Sequence, residues 1–461
     1  MRAGIYIHTI IAGLLVGIYA AKYTSVSPSI AMLVLYLSVV VALKLRRLVP
    51  VCFLMIGFCL AIYRTEPLLN GYAFLESKFD QKVELQASII TDPVYHDSGQ
   101  YEFNVDRLHL YGERVDAVIR VRSYTNDVRR GDRVQLSGKL RDGFASWQAS
   151  MYYAQLDLIA REDSVIESFR GRFIANVYSS VPDPEASLGL GFLMGIRALL
   201  PDQLNEQLAT TGLTHIVAVS GYNLTILATA SKRLLHRYSR FQAAVFTLML
   251  MACFVVITGM SPSILRAVVV SVFSIGAWYY GRKFSPWLLL LYSSSLSAII
   301  NPAYAWFGVG WYLSLTAFFG VLIIAPAAQK VLLRGRPPKM LTQIVFETSS
   351  AQMATLPIIM LIFGEISVVA LLANILVLPL IPIAMVATFL GGVLYFVSLP
   401  LAGLAVLPSY IILQYITSVI TALSRVSWAL LEVSLGPLQA LLAYVLLLVL
   451  YIGMRRKIIP I

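Results

Sequence analysis

The chain has 461 residues, of which 58% are hydrophobic and only 13% are charged, and its formal net charge is +12. A soluble globular protein is about 25% charged, so this composition excludes an ordinary soluble enzyme or binding module. Apolar runs of about 20 residues, long enough to cross a bilayer, recur along the chain. We therefore predict a polytopic α-helical membrane protein.

Three apolar runs open the chain, and they cover about 4–22, 28–44 and 48–63. Because further runs follow the first directly, we interpret it as a membrane anchor and not as a signal peptide. The turn between the second and third runs contains Lys44, Arg46 and Arg47, and short basic loops face the cytoplasm. We predict three transmembrane helices within residues 1–63, with a cytoplasmic N-terminus.

Residues 64–163 are predicted to form a small exterior β domain. Segments 83–89 and 115–121 alternate apolar and polar residues with the period of a strand, and 131–140 resembles a late strand bounded by glycines. Several short strands in about 100 residues favour a sandwich or a small barrel, and we expect an OB-like barrel. Residues 164–181 are predicted to form an amphipathic surface helix that contains Arg170 and Arg172.

Charge is distributed unevenly along the chain. Residues 64–170 contain 14 basic and 17 acidic side chains, whereas the remainder contains 22 basic and 7 acidic ones. Apolar helical segments, among them 367–396 and 403–430, recur between basic loops over residues 182–461. This part is predicted to be a membrane domain, whose basic end at Arg455 and Arg456 favours a cytoplasmic C-terminus.

The most unusual membrane stretch, 211–228, contains His215, Ser220 and Asn223 in an apolar background. Such groups are costly in hydrocarbon, which offers them no hydrogen-bond partners. A serine nucleophile elbow needs a glycine two residues before the serine, and Ser220 has none. A polar lining or a helix contact is therefore favoured, and an intramembrane hydrolase using His215 and Ser220 is a weaker alternative.

Two arginines interrupt the apolar segments. Arg197 follows a GxxxG pair formed by Gly191 and Gly195, which indicates either a broken helix or an interfacial helix with a snorkelling arginine. Ser263 and Arg266 lie in the first turns of a helix opened by a proline. An arginine at membrane depth costs about 2.5–3.5 kcal/mol, so it needs an acidic partner, carbonyl groups, an anionic substrate or a position at the interface.

If the partner of Arg266 is acidic, Glu347 and Glu365 are the membrane-region candidates to test. Gln352 and Asn374 lie in segments interrupted by proline, a pattern that recurs in proteins with internal polar pathways. The sequence contains neither an HExxH zinc motif nor a Walker A string. We therefore predict no catalytic residue, no metal site and no cofactor.

An ordered set of motifs over about 182–400 resembles the competence domain of the ComEC family, the inner-membrane DNA-uptake channels of transformable bacteria. The motifs are Gly195-Ile196-Arg197, Gly212-Leu213-Thr214-His215, Ala218-Val219-Ser220-Gly221, Pro262-Ser263 with Arg266, Gly310-Trp311, Leu356-Pro357 and Asn374 with Pro379. The resemblance implies a channel in the cell membrane that passes single-stranded DNA into the cytoplasm. It implies a translocation path through Arg197, His215, Ser220, Asn223, Ser263, Arg266, Gln352 and Asn374.

The resemblance also implies that the exterior barrel presents DNA to the channel. The candidate nucleic-acid contacts, by residue type, are Arg120, Arg122, Arg129, Arg130, Tyr101 and Tyr124. The net negative charge of this segment weakens that expectation, because nucleic-acid surfaces are usually basic. A transporter for a smaller anionic solute remains an alternative, since interrupted helices and a buried arginine fit it equally well.

Two departures from the family pattern affect what we expect. The family motif usually has a histidine where this chain has Asn223. Many members also carry a C-terminal metallo-β-lactamase-like domain, and we expect this chain to be a form without it. The expected partners are single-stranded DNA, membrane lipid, and separate proteins that act as DNA receptor, nuclease and ATP-driven translocase. The oligomeric state is left open.

Overall fold

The computed structural model describes residues 2–23, 28–95, 99–124, 128–143, 147–161, 164–217, 223–224, 231, 235, 237–259, 262–282, 284–396 and 399–458. They divide into two compact units. The first unit comprises Met1–Ser164 and Leu291–Trp311, and the second comprises Val165–Leu290 and Tyr312–Ile461.

The described helices, in chain order, are α1 Arg2–Tyr23, α2 Pro28–Lys44, α3 Val49–Glu76, α4 Val165–Ser180, α5 Glu185–Met194, α6 Asp202–Thr210, α7 Thr214–Val217, α8 Arg240–Thr258, α9 Pro262–Tyr279, α10 Pro286–Ile300, α11 Ala303–Phe307, α12 Val309–Phe319, α13 Ala325–Leu332, α14 Met340–Ile362, α15 Ala370–Val377, α16 Ile381–Leu394, α17 Leu399–Ser424 and α18 Pro437–Ile458. A π-helical turn, Gly320–Ile324, joins α12 to α13. The strands are β1 Lys82–Ile89, β2 Val94–Tyr95, β3 Tyr101–Leu110, β4 Glu113–Val115, β5 Ile119–Ser123, β6 Arg133–Asp142, β7 Ala149–Ala160, β8 Glu365–Ser367 and β9 Leu430–Glu432.

Within the described part of the chain, seven helices are long and apolar enough to cross a membrane, and the bent pair α15 and α16 raises that number to eight. These helices confirm the predicted polytopic helical membrane protein. Helices α15 and α16 are inclined to each other by 51° at a short break. Across the break the amide of Leu378 donates to the carbonyl of Asn374 and that of Leu380 to the carbonyl of Val377.

Helices α1 and α3 of the first unit approach each other closely because glycines line their contact. A Cβ atom added at Gly13 would meet the carbonyl oxygen of Leu54, and one at Gly57 would meet that of Ile10. Small residues allow membrane helices to pack backbone to backbone. In the same unit, the indole Nε1 of Trp306 donates a 2.8 Å hydrogen bond to the carbonyl of Ile18.

Helix α3 continues to Glu76, beyond the apolar run that ends at 63. The extension carries polar residues, so hydropathy alone does not reveal it. Leu75 at its end is fully buried in the core of the β domain. The last turns of α3 are therefore stabilised by packing against the β domain and not by lipid.

The β domain of the first unit is a closed five-stranded barrel. Its strands pair around the ring in the order β1-β3-β5-β7-β6, and β6 returns to β1. Strands β5 and β7 pair in parallel, and the other ring pairings are antiparallel. Strand β1 buries alternate side chains as its sequence predicts. The predicted OB-like barrel is confirmed as a closed five-stranded architecture.

One strand prediction was wrong. The alternating segment 115–121 is divided between β4 and β5 and is not one strand. The side-chain carbonyl of Gln148 accepts a 2.6 Å hydrogen bond from the backbone of Val118, and the amide of Ala117 bonds to the carbonyl of Val115. These two bonds take the place of strand-to-strand bonds at residues 117 and 118. The alternating pattern of the sequence does not reveal such an interruption.

Helix α4 of the second unit packs one face on α16. Phe173 is buried there, and the amide of Asn176 donates to the carbonyl of Gly392 over 3.3 Å. Arg170, expected on the surface, is only 5% exposed and pairs with Glu167 at 3.2 Å. Arg172 remains exposed.

The sequence analysis also missed a two-stranded sheet in the second unit. One strand follows α14 and the other follows α17. Strands β8 and β9 pair antiparallel, with Ile366 opposite Leu431. We expected helix at 367 and from 403 to 430, where apolar composition is compatible with either structure. Because each strand has only three residues, no period distinguishes it from the end of a helix.

Candidate functional site

Arg197 and His215, both predicted for the translocation path, are brought together at the end of α5. This helix ends at Gly195, whose φ of 70° lies in the left-handed region. The chain then turns, and the guanidinium of Arg197 donates a 2.9 Å hydrogen bond to the carbonyl of Thr214. The His215 imidazole Nδ1 lies 3.0 Å from the carbonyl of Gly212. Both side chains keep accessible surface, although many other groups crowd around them.

The turn before His215 packs onto the beginning of the bent helix pair. Gly212 has a φ of 69°, and a Cβ added there would lie 2.6 Å from the Cβ of Ala370 and 3.2 Å from that of Ser367. Only glycine combines this backbone conformation with this approach. The His215 segment and the start of α15 are thus in direct contact.

Asn223 is buried and acts as a tether. Its side-chain amide donates a 2.9 Å hydrogen bond to the carbonyl of Phe192 in α5. Close by along α5, a Cβ added at Gly191 would lie 2.7 Å from Val217. The hydrogen bond from Asn223 satisfies the buried carbonyl of Phe192, which gives Asn223 an architectural role. Ser220 lies outside the described residues.

Ser263 and Arg266 lie on one face of α9 and meet α12. The Ser263 and Ser314 hydroxyl oxygens are 3.2 Å apart, and the guanidinium carbon of Arg266 is 5.7 Å from the ring centroid of Phe318. Arg266 is only 8% exposed, and within the described part of the chain its Nη1 has no hydrogen-bond partner. A buried cation in this state is costly, because burial removes its hydration without supplying a counter-charge.

The two acidic candidates for Arg266 are not beside it. Glu347 accepts a 2.8 Å hydrogen bond from Gln343 on its own helix, and Glu365 lies in β8 opposite Glu432. Among the described residues, neither glutamate forms an ion pair with Arg266. Both candidates were wrong because charge and hydropathy do not tell which helices are neighbours.

Asn374 and Gln352, also predicted for the path, lie on α15 and α14. The Asn374 amide donates to the carbonyl of Ala370 over 2.8 Å, while its buried Oδ1 has no partner among the residues that the structure describes. Gln352 is half-buried on α14. Within the described residues, no hydrogen bond joins either side chain to Arg197, His215 or Arg266.

The barrel places two predicted arginines on the outer face of β5. Glu102 of β3 pairs with Arg120 at 2.8 Å and with Arg122 at 2.7 Å. The guanidinium carbon of Arg120 lies 3.3 Å from the ring centroid of Trp147, and desolvation by this burial lowers the pKa of Arg120 against the opposing effect of Glu102. The single carboxylate neutralises part of the charge that these arginines would offer to phosphates.

The remaining predicted nucleic-acid contacts are dispersed over the barrel. Tyr101 packs on Tyr95 with ring centroids 5.2 Å apart. Arg129 and Arg130 lie in the turn before β6, where the backbone amide of Arg129 donates to Asp132 over 2.9 Å. Tyr124 is 61% exposed and contacts Tyr153 with ring centroids 6.1 Å apart.

Four residues on the same part of the barrel as Arg120 and Arg122 were not predicted from the sequence. They are Glu102, Trp147, Tyr152 and Tyr153. The guanidinium carbons of Arg122 and Arg141 lie 5.3 Å and 5.8 Å from the ring centroid of Tyr152. These groups come from β3, β5, β6 and β7 and the loop before β7, which only the strand register brings together. An alternating pattern could have predicted that each residue lies on the outer face. It could not have predicted which of them are neighbours across the strands.

The described helices and the barrel define a class: a multi-pass helical membrane protein with a small closed β barrel and polar residues at interrupted helices. The family model described as "Competence protein" matches residues 192–457, more than half of the chain. The chain therefore belongs to the competence protein family, which confirms the resemblance to the ComEC family.

Three curated relatives are similar to the chain. ComE operon protein 3 of Bacillus subtilis (strain 168) is 26% identical over 230 residues, which is 49% of this chain and 29% of that protein. Uncharacterized protein YcaI of Escherichia coli (strain K12) is 24% identical over 333 residues, covering 67% of this chain and 43% of the relative. An uncharacterized protein of Aquifex aeolicus (strain VF5) is 21% identical over 260 residues, 56% of this chain and 59% of the relative.

The matched regions span less than two thirds of the length of each of these relatives. No solved structure matches the chain. Among the described residues there is no group of three or more His, Cys, Asp or Glu side chains that could hold a metal ion.

Proposed function

We propose that this protein is a channel of the cytoplasmic membrane that passes single-stranded DNA into the cytoplasm during natural transformation. In this orientation the N- and C-termini are cytoplasmic and the barrel is exterior. Separate proteins supply the DNA receptor, the nuclease and the ATP-driven translocase. Membership of the competence family supports this function, and basic loops between the helices support the orientation.

The observation that carries the proposal is the burial of Arg266 with an Nη1 that bonds to no residue that the structure describes. This side chain is 8% exposed, and among the described residues its Nη1 has no hydrogen-bond partner, while its guanidinium carbon lies 5.7 Å from the ring centroid of Phe318. An arginine retained at such cost marks a substrate pathway more often than a structural contact. A passing phosphate supplies the anion and the acceptor that the guanidinium lacks.

Arg197 and His215 form a second polar position on the proposed path. Arg197 donates to the carbonyl of Thr214, next to His215, and the turn before His215 packs on the start of α15 through Gly212. Two polar positions held by interrupted helices offset the desolvation of phosphates as a strand moves. Asn223 does not line the path in this proposal, because its amide is committed to the carbonyl of Phe192.

The test is DNA uptake by a transformable bacterium whose own copy of this gene carries Arg266→Met. We expect the transfer of labelled DNA to fall by about 10- to 100-fold, as when one charge-assisted contact is lost. The matched control is Arg282→Met, which removes an exposed arginine just beyond the end of α9 and should leave uptake unchanged. Membrane abundance of each variant is measured in parallel.

Normal uptake in a stably produced Arg266→Met variant contradicts the proposal. The same cells are also tested for accumulation of small labelled organic and inorganic anions. Loss of such an anion in Arg266→Met cells that still take up DNA identifies a transporter for a smaller anionic solute. The side of each terminus is read from the accessibility of engineered cysteines to an impermeant reagent.

A further inference from the structure

Tyr153 is held in a strained backbone conformation inside a strand. Its φ is 57°, in the left-handed region that a bulky side chain rarely adopts. Ser137 pairs with Gln155 and Lys139 pairs with Tyr152, so two residues of β7 lie opposite the single residue Gly138. This extra residue makes a β-bulge, and bulges re-aim side chains at functional sites.

Burial of the ring does not explain why a tyrosine is kept at this position. The side chain of Tyr153 is 69% exposed, so it adds little to the core of the barrel. Glycine would adopt the same φ without strain. Strain that persists without a packing benefit is a reason to look for a binding role of the side chain.

Aromatic and basic side chains surround Tyr153. The ring of Tyr124 lies 6.1 Å away, and Tyr152 is contacted by the guanidinium groups of Arg122 and Arg141. A pocket of about 500 Å³ adjoins Tyr152 and Tyr153 and is also lined by Lys82 and Lys139. The barrel therefore combines exposed rings with cations across β5, β7, β6 and β1.

This combination fits one class of ligand. Single-stranded nucleic acid binds where aromatic rings stack on unpaired bases and a basic groove follows the phosphates. Lys139 pairs with Asp80 at 2.9 Å, but both side chains are at least half exposed, so the pair is weak and can exchange for a phosphate. A protein partner would not require exposed aromatic rings beside two lysines.

We propose that Tyr153, together with Tyr124 and Tyr152, is a base-stacking site for single-stranded nucleic acid, with Lys82, Lys139 and Arg141 holding phosphates. The inference rests on the proposed function, because that function brings a single strand to the barrel. It places the strand across β5, β7 and β6. It therefore differs from the expectation of direct phosphate binding by Arg120, whose charge is shared with Glu102.

The test uses the full-length protein in lipid nanodiscs and a fluorescent oligothymidylate whose polarisation reports binding. Tyr153→Gly removes the ring and relieves the strained backbone. We expect its affinity to fall by about 5- to 100-fold, the range seen when one stacking aromatic is removed. Hydrogen exchange of β6 and β7 should show a barrel at least as stable as that of the wild type. Tyr153→Phe keeps the ring and should keep the affinity.

Tyr111→Gly is a matched control. Tyr111 is also exposed, at 67%, and also has a left-handed φ, of 52°. It lies between β3 and β4, and β5 separates β3 from β7 in the ring. This substitution should relieve strain in the same way and leave the affinity unchanged. Equal losses in both variants, or no loss in Tyr153→Gly, would overturn the inference.

Two further outcomes separate this inference from the proposed function. If Tyr153→Gly binds the oligothymidylate normally while Arg266→Met still abolishes DNA uptake, the stacking site is refuted and the channel stands. If wild-type protein binds a blunt duplex as tightly as the single strand, the stacking site is also refuted, because paired bases offer no free faces. If the wild type neither binds the strand nor supports uptake, both proposals fall.

Discussion

The side-chain oxygens of Ser263 and Ser314 lie 3.2 Å apart and join α9 to α12. One turn further along each helix, Arg266 and Phe318 form a cation–π contact. Residues three or four apart share a helix face, so the serine pair and the cation–π pair belong to one seam. The serine pair sets the spacing of the helices, and Arg266 keeps a donor free beside it.

The serine pair is predicted to contribute to stability and not to transport. Ser263→Ala, Ser314→Ala and the double variant form a double-mutant cycle in which we expect a coupling free energy of about 0.6 kcal/mol, the average for hydrogen bonds between membrane helices. Thermal unfolding in nanodiscs measures it. All three variants should take up DNA like the wild type. Loss of uptake in either single variant would show that the hydroxyls belong to the path.

Gly212 is predicted to be irreplaceable at the contact with α15. In Gly212→Ala the new methyl group meets Ala370 and the residue is strained at a φ of 69°, so we expect a loss of more than about 1 kcal/mol. Gly276→Ala is the control, because Gly276 is helical and nothing lies within 4 Å of its added Cβ. That variant should gain about 0.5–1 kcal/mol. Similar thermal shifts in both variants would disprove the close contact.

Asn223 is predicted to hold α5 in place. Asn223→Ala leaves the buried carbonyl of Phe192 without its donor, which costs about 1–3 kcal/mol. Asn223→His restores an N–H donor and the residue type usual in the family, so it should lose less. Thermal stability and membrane abundance are the measurements. Uptake per folded molecule should be unchanged in both variants, and a specific defect in Asn223→Ala would instead place the amide in the path.

The architecture was predictable wherever a period or a long apolar run was present. The alternation of 83–89 gave β1, and the apolar runs gave the membrane helices. The extension of α3 to Glu76 was not predictable, because its last turns are stabilised by burial of Leu75 in a distant barrel core. Strands β8 and β9 are too short to show a period.

The candidate sites were predictable as residue types but not as contacts. The cost of Arg266 in a membrane was evident from the sequence, yet its neighbour is Phe318 and not Glu347. Arg120 and Arg122 were chosen for their charge, and only the register of β3 and β5 reveals that Glu102 faces both. Pairings between elements distant in sequence depend on the fold as a whole.

Asp106 in β3 is predicted to make the stability of the barrel depend on pH. Desolvation raises the pKa of this carboxyl above its usual 3.8, an effect that Arg107 partly opposes, and its buried Oδ1 has no hydrogen-bond partner in the described part of the barrel. The folded barrel therefore holds this proton more tightly than the unfolded chain does. The stabilisation is complete below pH 3.8 and is lost as pH rises through the higher pKa of the folded state.

Asp106→Asn removes the charge, so the variant barrel should be more stable than the wild type at pH 7, by about 1 kcal/mol. The difference should shrink as the pH falls toward 4. This difference in stability is measured by hydrogen exchange of β1 and β3 in the full-length protein at each pH. Asp80→Asn is the control of opposite sign, because the hydrogen bond from Lys139 lowers the pKa of Asp80. Its small destabilisation is present at neutral pH and disappears in acid. A pH-independent gain in Asp106→Asn would show that packing, and not charge burial, sets the stability at this position.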